Sequence, residues 1–150
     1  MTNHDEGGID AATIGQMLRA ARDAATRAYV PYSGFPVGAS VLTASGEIVS
    51  GVNIENASYG LTVCGERVAV FRAAAEGHRE LRAVVVSAPK APGTTPCGAC
   101  RQVLNEFKGP TGDLQVILDN GAGTEPTIVR LATLLPQAFG PNDLKVLDGD

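Results

Sequence analysis

Two short stretches hold the residue types that could do chemistry together. They are Cys64-Gly65-Glu66-Arg67 and, with Cys97 33 positions beyond Cys64, Pro96-Cys97-Gly98-Ala99-Cys100. Between them they hold all three cysteines of the chain, an odd number for a disulfide framework. In a reducing compartment, cysteines so spaced more often bind metal or carry out chemistry. Each cluster falls at the start of an expected helix, where unpaired backbone N–H groups and the positive dipole end favour thiolate over thiol. Two helix starts converging from neighbouring strands could place three thiolates around one ion. Such a set suits Zn²⁺, one ion per chain, and keeps the fourth position open for water. Glu66, two residues from a ligand, can stand beside that water without binding the metal.

Three plainer readings compete. A closed structural zinc site needs a fourth protein ligand, and the other candidates are His4 near the N-terminus and His78 beyond the first cysteine-bearing helix. A redox pair would use Cys97 and Cys100 but leave Cys64 and Glu66 idle. The three cysteines could also be buried and inert.

The elements that must position these residues follow from periodicity. Residues 1–8 read as a frayed tail and 9–150 as a single domain. From Ile9 to about Tyr29, Ile14, Met17, Leu18, Ala21, Ala25 and Ala28 recur at helical spacing, and Pro31 forbids continuation. Pro36 to Thr43 and Glu47 to Asn53 read as a β-hairpin about the Ala44-Ser45-Gly46 turn. A loop over 54–63 leads to an Ala/Val-rich helix from about Cys64 to Glu76, with Gly77 as its C-cap. Ala83 to Ser87 reads as a strand buried on both faces. A Pro/Gly loop, a helix from about Cys97 to Phe107, and strands at Leu114–Leu118 and Thr127–Val129 follow. Leu131 to Leu135 suggests a turn of helix before a tail containing Phe139. This alternation predicts an α/β fold in three layers, a mixed, mostly five-stranded sheet with helices on both faces.

Bulk composition narrows the partners. Hydrophobic residues make up 44% and charged residues 19%, an ordinary globular balance, while aromatics at 5% and the absence of Trp require an aliphatic core. The formal charge of −4, with cations scattered, argues for a small-molecule ligand and against nucleic acid. No window approaches the ~18 apolar residues of a membrane span. The opening Met1-Thr2-Asn3-His4-Asp5-Glu6 has neither a basic n-region nor an apolar h-region, so the expectation is a cytoplasmic protein.

Cys-x-Glu followed by Pro-Cys-x-x-Cys matches the known signature of zinc-dependent deaminases. Around it the chain resembles the small homotetrameric cytidine deaminases over nearly its whole length. The matching stretches begin with Ala28-Tyr29-Val30-Pro31-Tyr32-Ser33-Gly34-Phe35-Pro36-Val37-Gly38-Ala39 and Gly51-Val52-Asn53-Ile54-Glu55-Asn56-Ala57-Ser58-Tyr59. They continue through the two cysteine clusters with Arg101-Gln102 to Leu134-Leu135-Pro136-Gln137-Ala138-Phe139-Gly140-Pro141-Asn142-Asp143-Leu144.

The resemblance implies hydrolytic deamination of cytidine and 2′-deoxycytidine to uridine and deoxyuridine plus ammonia, in pyrimidine salvage. It implies that Cys64, Cys97 and Cys100 bind Zn²⁺ and that Glu66 shuttles the proton. It further implies that Asn53 and Glu55 hold the ribose 3′-hydroxyl and that Phe35 stacks on the pyrimidine. Phe139 would reach a neighbouring subunit's site in a homotetramer with shared sites, and Arg67 would offset the charge of three thiolates. Tyr59 is expected at a subunit interface or pocket rim. One residue departs from the family pattern: Gly65 stands where Ala is usual, with its backbone expected to face the substrate's C4 substituent. Two readings of Gly65 stand side by side, a widened space beside the leaving group or an accommodation of local packing. Two other functions stay in view: a related deaminase acting on C4-modified cytosine nucleosides or blasticidin S, and a non-catalytic zinc module, which would have no need of Glu66.

Overall fold

The computed structural model describes residues 8–109 and 112–144. Most of the expected N-terminal tail, including His4, lies outside the described residues. The first helix, α1 (Ala11–Ala25), begins where the Asp10 side chain accepts the Thr13 N–H at 2.7 Å, satisfying one free donor of the first turn. Its buried stripe is Met17, Leu18, Ala21, Ala24 and Ala25. The helix stops short of the expected Tyr29. The Tyr29 N–H instead donates to the Asn53 carbonyl, and the Tyr29 carbonyl accepts from the Glu55 N–H. A tertiary pairing overrides the local period there.

Strands β1 (Gly38–Thr43) and β2 (Ile48–Val52) form the expected hairpin, turning at Gly46 with φ +91°. Helix α2 (Gly65–Ala75) follows a loop that contains one unexpected 3₁₀ turn at Tyr59–Leu61. Then come β3 (Leu81–Ser87), α3 (Gly98–Glu106), β4 (Gln115–Leu118), β5 (Thr127–Arg130) and α4 (Leu131–Leu134). A further four-residue helix, α5 (Pro141–Leu144), lies in what the sequence suggests is tail; the Asp143 carboxylate accepts the Gly140 N–H at its start.

The sheet order is β2-β1-β3-β4-β5, with β3 and β4 parallel and the other pairs antiparallel. On one face, Met17, Leu18 and Ala21 of α1 pack on Leu42, Ala83, Val85 and Ile117. On the other, Ala69, Val70 and Ala73 of α2 and Leu104 of α3 pack on Val41, Val84 and Val116. The result is the expected three-layer α/β/α arrangement with an aliphatic core. Each fully buried Leu or Ile contributes about 1.5–3 kcal/mol relative to exposure. Two glycines allow the helices to sit this close: a Cβ at Gly38 would collide with the Ala21 carbonyl, and one at Gly51 with the Ala69 amide.

This topology positions the site. Because β1 runs antiparallel to both of its neighbours, β2 and β3 run parallel to each other. Their C-terminal ends, Val52 and Ser87, both lie against Gly38. The loops leaving these ends carry the chain to the N-termini of α2 and α3, so both helices start at the same edge of the sheet.

Candidate active site

Cys64 is the N-cap of α2 and Cys97 the N-cap of α3. Neither side chain caps its own helix, which leaves both sulfurs free to face each other. Cys100, on the first turn of α3, is fully buried. The three Sγ atoms lie within 4.8 Å of one another, with 3.7 Å between Cys64 and Cys97 and 3.4 Å between Cys97 and Cys100. A tetrahedral site with Zn–S bonds of about 2.3 Å requires sulfur separations of about 3.8 Å, so this cluster fits the ion closely. Among the described residues no fourth ligand joins the group. His78, one candidate for a closed site, instead contacts Glu47 at 2.6 Å.

The electrostatics favour a metal-binding set. A hydrogen bond from Cys100, aided by Arg67, pulls the Cys64 thiol down to about 5. The same bond, together with burial, pushes Cys100 up. Arg67 Nη2 lies 3.5 Å from Cys64 Sγ, while its buried Nε has no hydrogen-bond partner among the described residues. An unpaired guanidinium donor beside sulfur is costly against neutral thiols and favourable against a thiolate cluster. Three thiolates around Zn²⁺ carry a net negative charge, which Arg67 is placed to offset.

Glu66 is 4% exposed, and burial raises its pKa above the ordinary carboxylate range. It lines a cavity of about 430 Å³ together with Cys64, Gly65, Cys97, Phe35, Asn53 and Glu55. The structure therefore gathers these residues from four separate stretches of sequence. The Asn53 side chain is largely engaged within the chain: its Oδ1 accepts the Val37 N–H and its Nδ2 donates to the Phe35 carbonyl, each at 2.9 Å. Glu55 Oε1 accepts the N–H groups of Tyr32 and Ser33 at 3.0 and 3.1 Å. Bonding from Ser33 holds the Glu55 carboxyl below its usual range.

The surroundings of Gly65 favour the packing reading. A Cβ there would meet the Val37 carbonyl oxygen at 3.0 Å, the Asn53 nitrogen at 3.3 Å and the Val52 carbonyl carbon at 3.4 Å. The missing methyl thus faces hairpin backbone. Glycine here permits a close approach of helix to hairpin.

Phe139 is not part of this cavity. It is 60% exposed, and its carbonyl accepts from Gln102 Nε2 at 2.9 Å and Asn105 Nδ2 at 3.2 Å. Tyr59 is exposed and edge-to-face with Tyr32 at 5.8 Å between ring centres, lining an adjoining depression that shares Ser33, Glu55 and Thr62 with the cavity. Thr94, Thr95, Thr62 and Ser33 also line the cavity and were not singled out from the sequence. Only the Pro/Gly loop before Cys97 hints at the first two, because loops next to ligands commonly shape sites.

A family model described as the cytidine and deoxycytidylate deaminase zinc-binding region matches residues 12–113. The chain belongs to the cytidine deaminase family. The deaminase is 45% identical over 132 residues to a cytidine deaminase of Sporosarcina psychrophila, covering 87% of this chain and 94% of that one. It is 43% identical to that of Mycobacterium tuberculosis, with 85% and 91% covered. A crystal structure of the cytidine deaminase from Burkholderia pseudomallei superposes with a TM-score of 0.75 at 41% identity, covering 93% of this chain and 100% of that one. The deaminase is thus an enzyme with a zinc cofactor, and Cys64, Cys97 and Cys100 are positioned to hold it. Among the described residues no helix is long and apolar enough to cross a membrane.

Proposed function

We propose that this enzyme deaminates cytidine and 2′-deoxycytidine by water, giving uridine or deoxyuridine and ammonia, and serves pyrimidine salvage in the cytoplasm. The observation that carries this reading is Glu66: a buried carboxyl with a raised pKa, set two residues past one cysteine of the cluster and facing a nucleoside-sized cavity. A non-catalytic zinc module has no use for such a group.

Zinc held by the three thiolates supplies Lewis acidity toward the attacking water. Glu66 takes a proton from that water and delivers it to N3 as the oxygen bonds to C4. Glu66 then relays the remaining hydroxyl proton to N4, the C4–N4 bond breaks, and ammonia leaves as the carbonyl forms. A carboxyl serving first as base and then as acid works best with a pKa moved toward neutrality, which burial supplies. Phe35 stacks on the pyrimidine. Glu55, kept ionised by its neighbours, accepts from the ribose 3′-hydroxyl, and Asn53 supports it with its remaining amide proton. Arg67 offsets the thiolate charge.

The enzyme works as a homotetramer with shared sites. In support, Ile54, Leu61 and Phe71 stand exposed around one apolar depression, a feature monomers rarely leave open. Phe139, its carbonyl held by Gln102 and Asn105 of α3, enters a neighbour's cavity. The direct experiment follows the absorbance change of cytidine on conversion, with and without a zinc chelator. Turnover that depends on zinc supports the reading, and zinc-loaded protein without turnover overturns it.

A further inference from the structure

One wall of the cavity is a loop, residues 88–97, that runs from the end of β3 to Cys97 and contributes Thr94 and Thr95 to the lining. Its far end is fixed by Arg101, whose Nε donates to the Pro96 carbonyl at 2.7 Å. Its near half is held by a different device. Gly93, at φ +80°, donates its N–H to the Asp119 carbonyl at 2.8 Å, and a Cβ there would stand 3.1 Å from Asn120 Oδ1.

Asp119 follows β4 and is 6% exposed. Its carboxylate accepts four donors. Arg22, from α1, donates to Oδ2 through Nε at 2.8 Å and to Oδ1 through Nη2 at 2.7 Å. The Ser87 hydroxyl adds a bond to Oδ2 at 2.8 Å, and the Gly121 N–H one to Oδ1 at 2.9 Å. Four donors saturate the acceptor sites of one carboxylate, and bidentate guanidinium pairing fixes its plane. None of Arg22, Ser87 or Asp119 lines the cavity, so no step of the deamination uses them.

We infer that Asp119, clamped by Arg22 and Ser87, is a positioning residue for substrate binding: it fixes Gly93, and through Gly93 the adjoining Thr94 part of the wall, while Thr95 is tied to Arg101 Nη2 at 3.3 Å. The chain of contacts runs from α1, across the end of the sheet, to the loop. It acts on the wall that receives the nucleoside and leaves Glu66, on α2, untouched. Arg101 holds Cys97 independently, so the metal cluster keeps its place. Loss of the clamp therefore weakens nucleoside binding more than it slows the chemical step.

Asp119→Asn is the test, because all four partners present hydrogens and an amide nitrogen cannot accept them. Hydrogen exchange over residues 89–96 should quicken about tenfold or more, the loss expected when charge-assisted bonds go. KM for cytidine should rise about tenfold while kcat and zinc content stay near those of the parent, since a loosened wall misplaces the substrate. Gly93→Ala acts at the other end of the same tie and should give the same KM-selective change. The double variant should then fall short of the product of the two singles. Should Asp119→Asn fail to fold, Ser87→Ala, which removes one of the four bonds, gives a smaller change in the same direction. Unchanged exchange in the loop, or KM within twofold in a folded variant, overturns the inference. So does a parallel fall in kcat with loss of zinc. The inference rests on cytidine as substrate, but the exchange measurement needs no activity, so failure of the one is distinguishable from failure of the other.

Discussion

Replacing Gly65 by alanine tests whether the direction of a single absent methyl has been read correctly. The added Cβ meets backbone on the hairpin side, at 3.0 Å from the Val37 oxygen that already accepts the Asn53 N–H at 3.1 Å. Overpacking of this kind costs about 1–3 kcal/mol. The gain in helix propensity is up to about 1 kcal/mol, and less in a first turn. The net expectation is a loss of about 1 kcal/mol, or about 3 °C in melting temperature for a domain of this size. Selectivity should not move. A methylene-sized contact with the substrate would alter discrimination by about 1–3 kcal/mol, roughly five- to 150-fold. A methyl buried against hairpin backbone makes no such contact. The assay is the ratio of kcat/KM for N4-methylcytidine to that for cytidine, measured in the natural protein and in Gly65→Ala, with calorimetric melting alongside. A change of fivefold or more in that ratio would place the methyl beside the leaving group and refute the geometry. A clearly more stable variant would refute the crowding.

Four further outcomes follow from the structure. Glu66→Gln should keep its fold and zinc yet lose about two to four orders of magnitude in rate, the range for a removed general acid–base; near-normal turnover with zinc present excludes the assigned role. Metal analysis should find one Zn²⁺ per chain, and replacing any one of Cys64, Cys97 or Cys100 should abolish its retention; zinc held equally well without Cys64 counts against the three-sulfur site. Arg22 bonding holds Asp119 down at about 2, below the ordinary 3.8, so this group stabilises the fold fully above pH 4 and the benefit disappears as pH falls through 2. With Arg22 partly exposed, screening reduces the contribution to about 1–2 kcal/mol, and Arg22→Met should remove that acid-dependent part of the melting curve. Sedimentation should show a tetramer, with Phe139→Ala raising KM while leaving zinc bound; a monomer at assay concentration contradicts the shared-site arrangement.

The chemistry was legible where it is local. Cys-x-Glu and Cys-x-x-Cys each occupy one helical turn, so spacing alone places them at helix starts, and both clusters lie there. The strands were legible for the same reason, since Val-rich runs such as Ala83–Ser87 have no other good use in a short chain. Long-range interactions left no trace. Arg22 and Asp119 stand 97 positions apart, and nothing in either neighbourhood marks them as a pair. The end of α1 was misjudged because the apolar period continues to Ala28, whereas pairing of Tyr29 with the loop after β2 decides the matter. Helix α5 is four residues long, too short for any period to show. The orientation of Gly65 required the backbone of a different element.

The antiparallel strand between the two ligand-bearing connections sets an order of events. The β1–β2 hairpin is a local pairing, expected to form before the non-local ones, and the loop leaving it leads to Cys64. Cys97 and Cys100 reach it only after β3 has docked on the free edge of β1, a non-local pairing whose chain closure is slower. On that order zinc is expected to meet a site whose frame is already built, and to act by mass action on the folded state. Docking of β3 on β1 is therefore expected to precede metal loading, and refolding with zinc added at increasing delays should show no change in the rate of sheet formation.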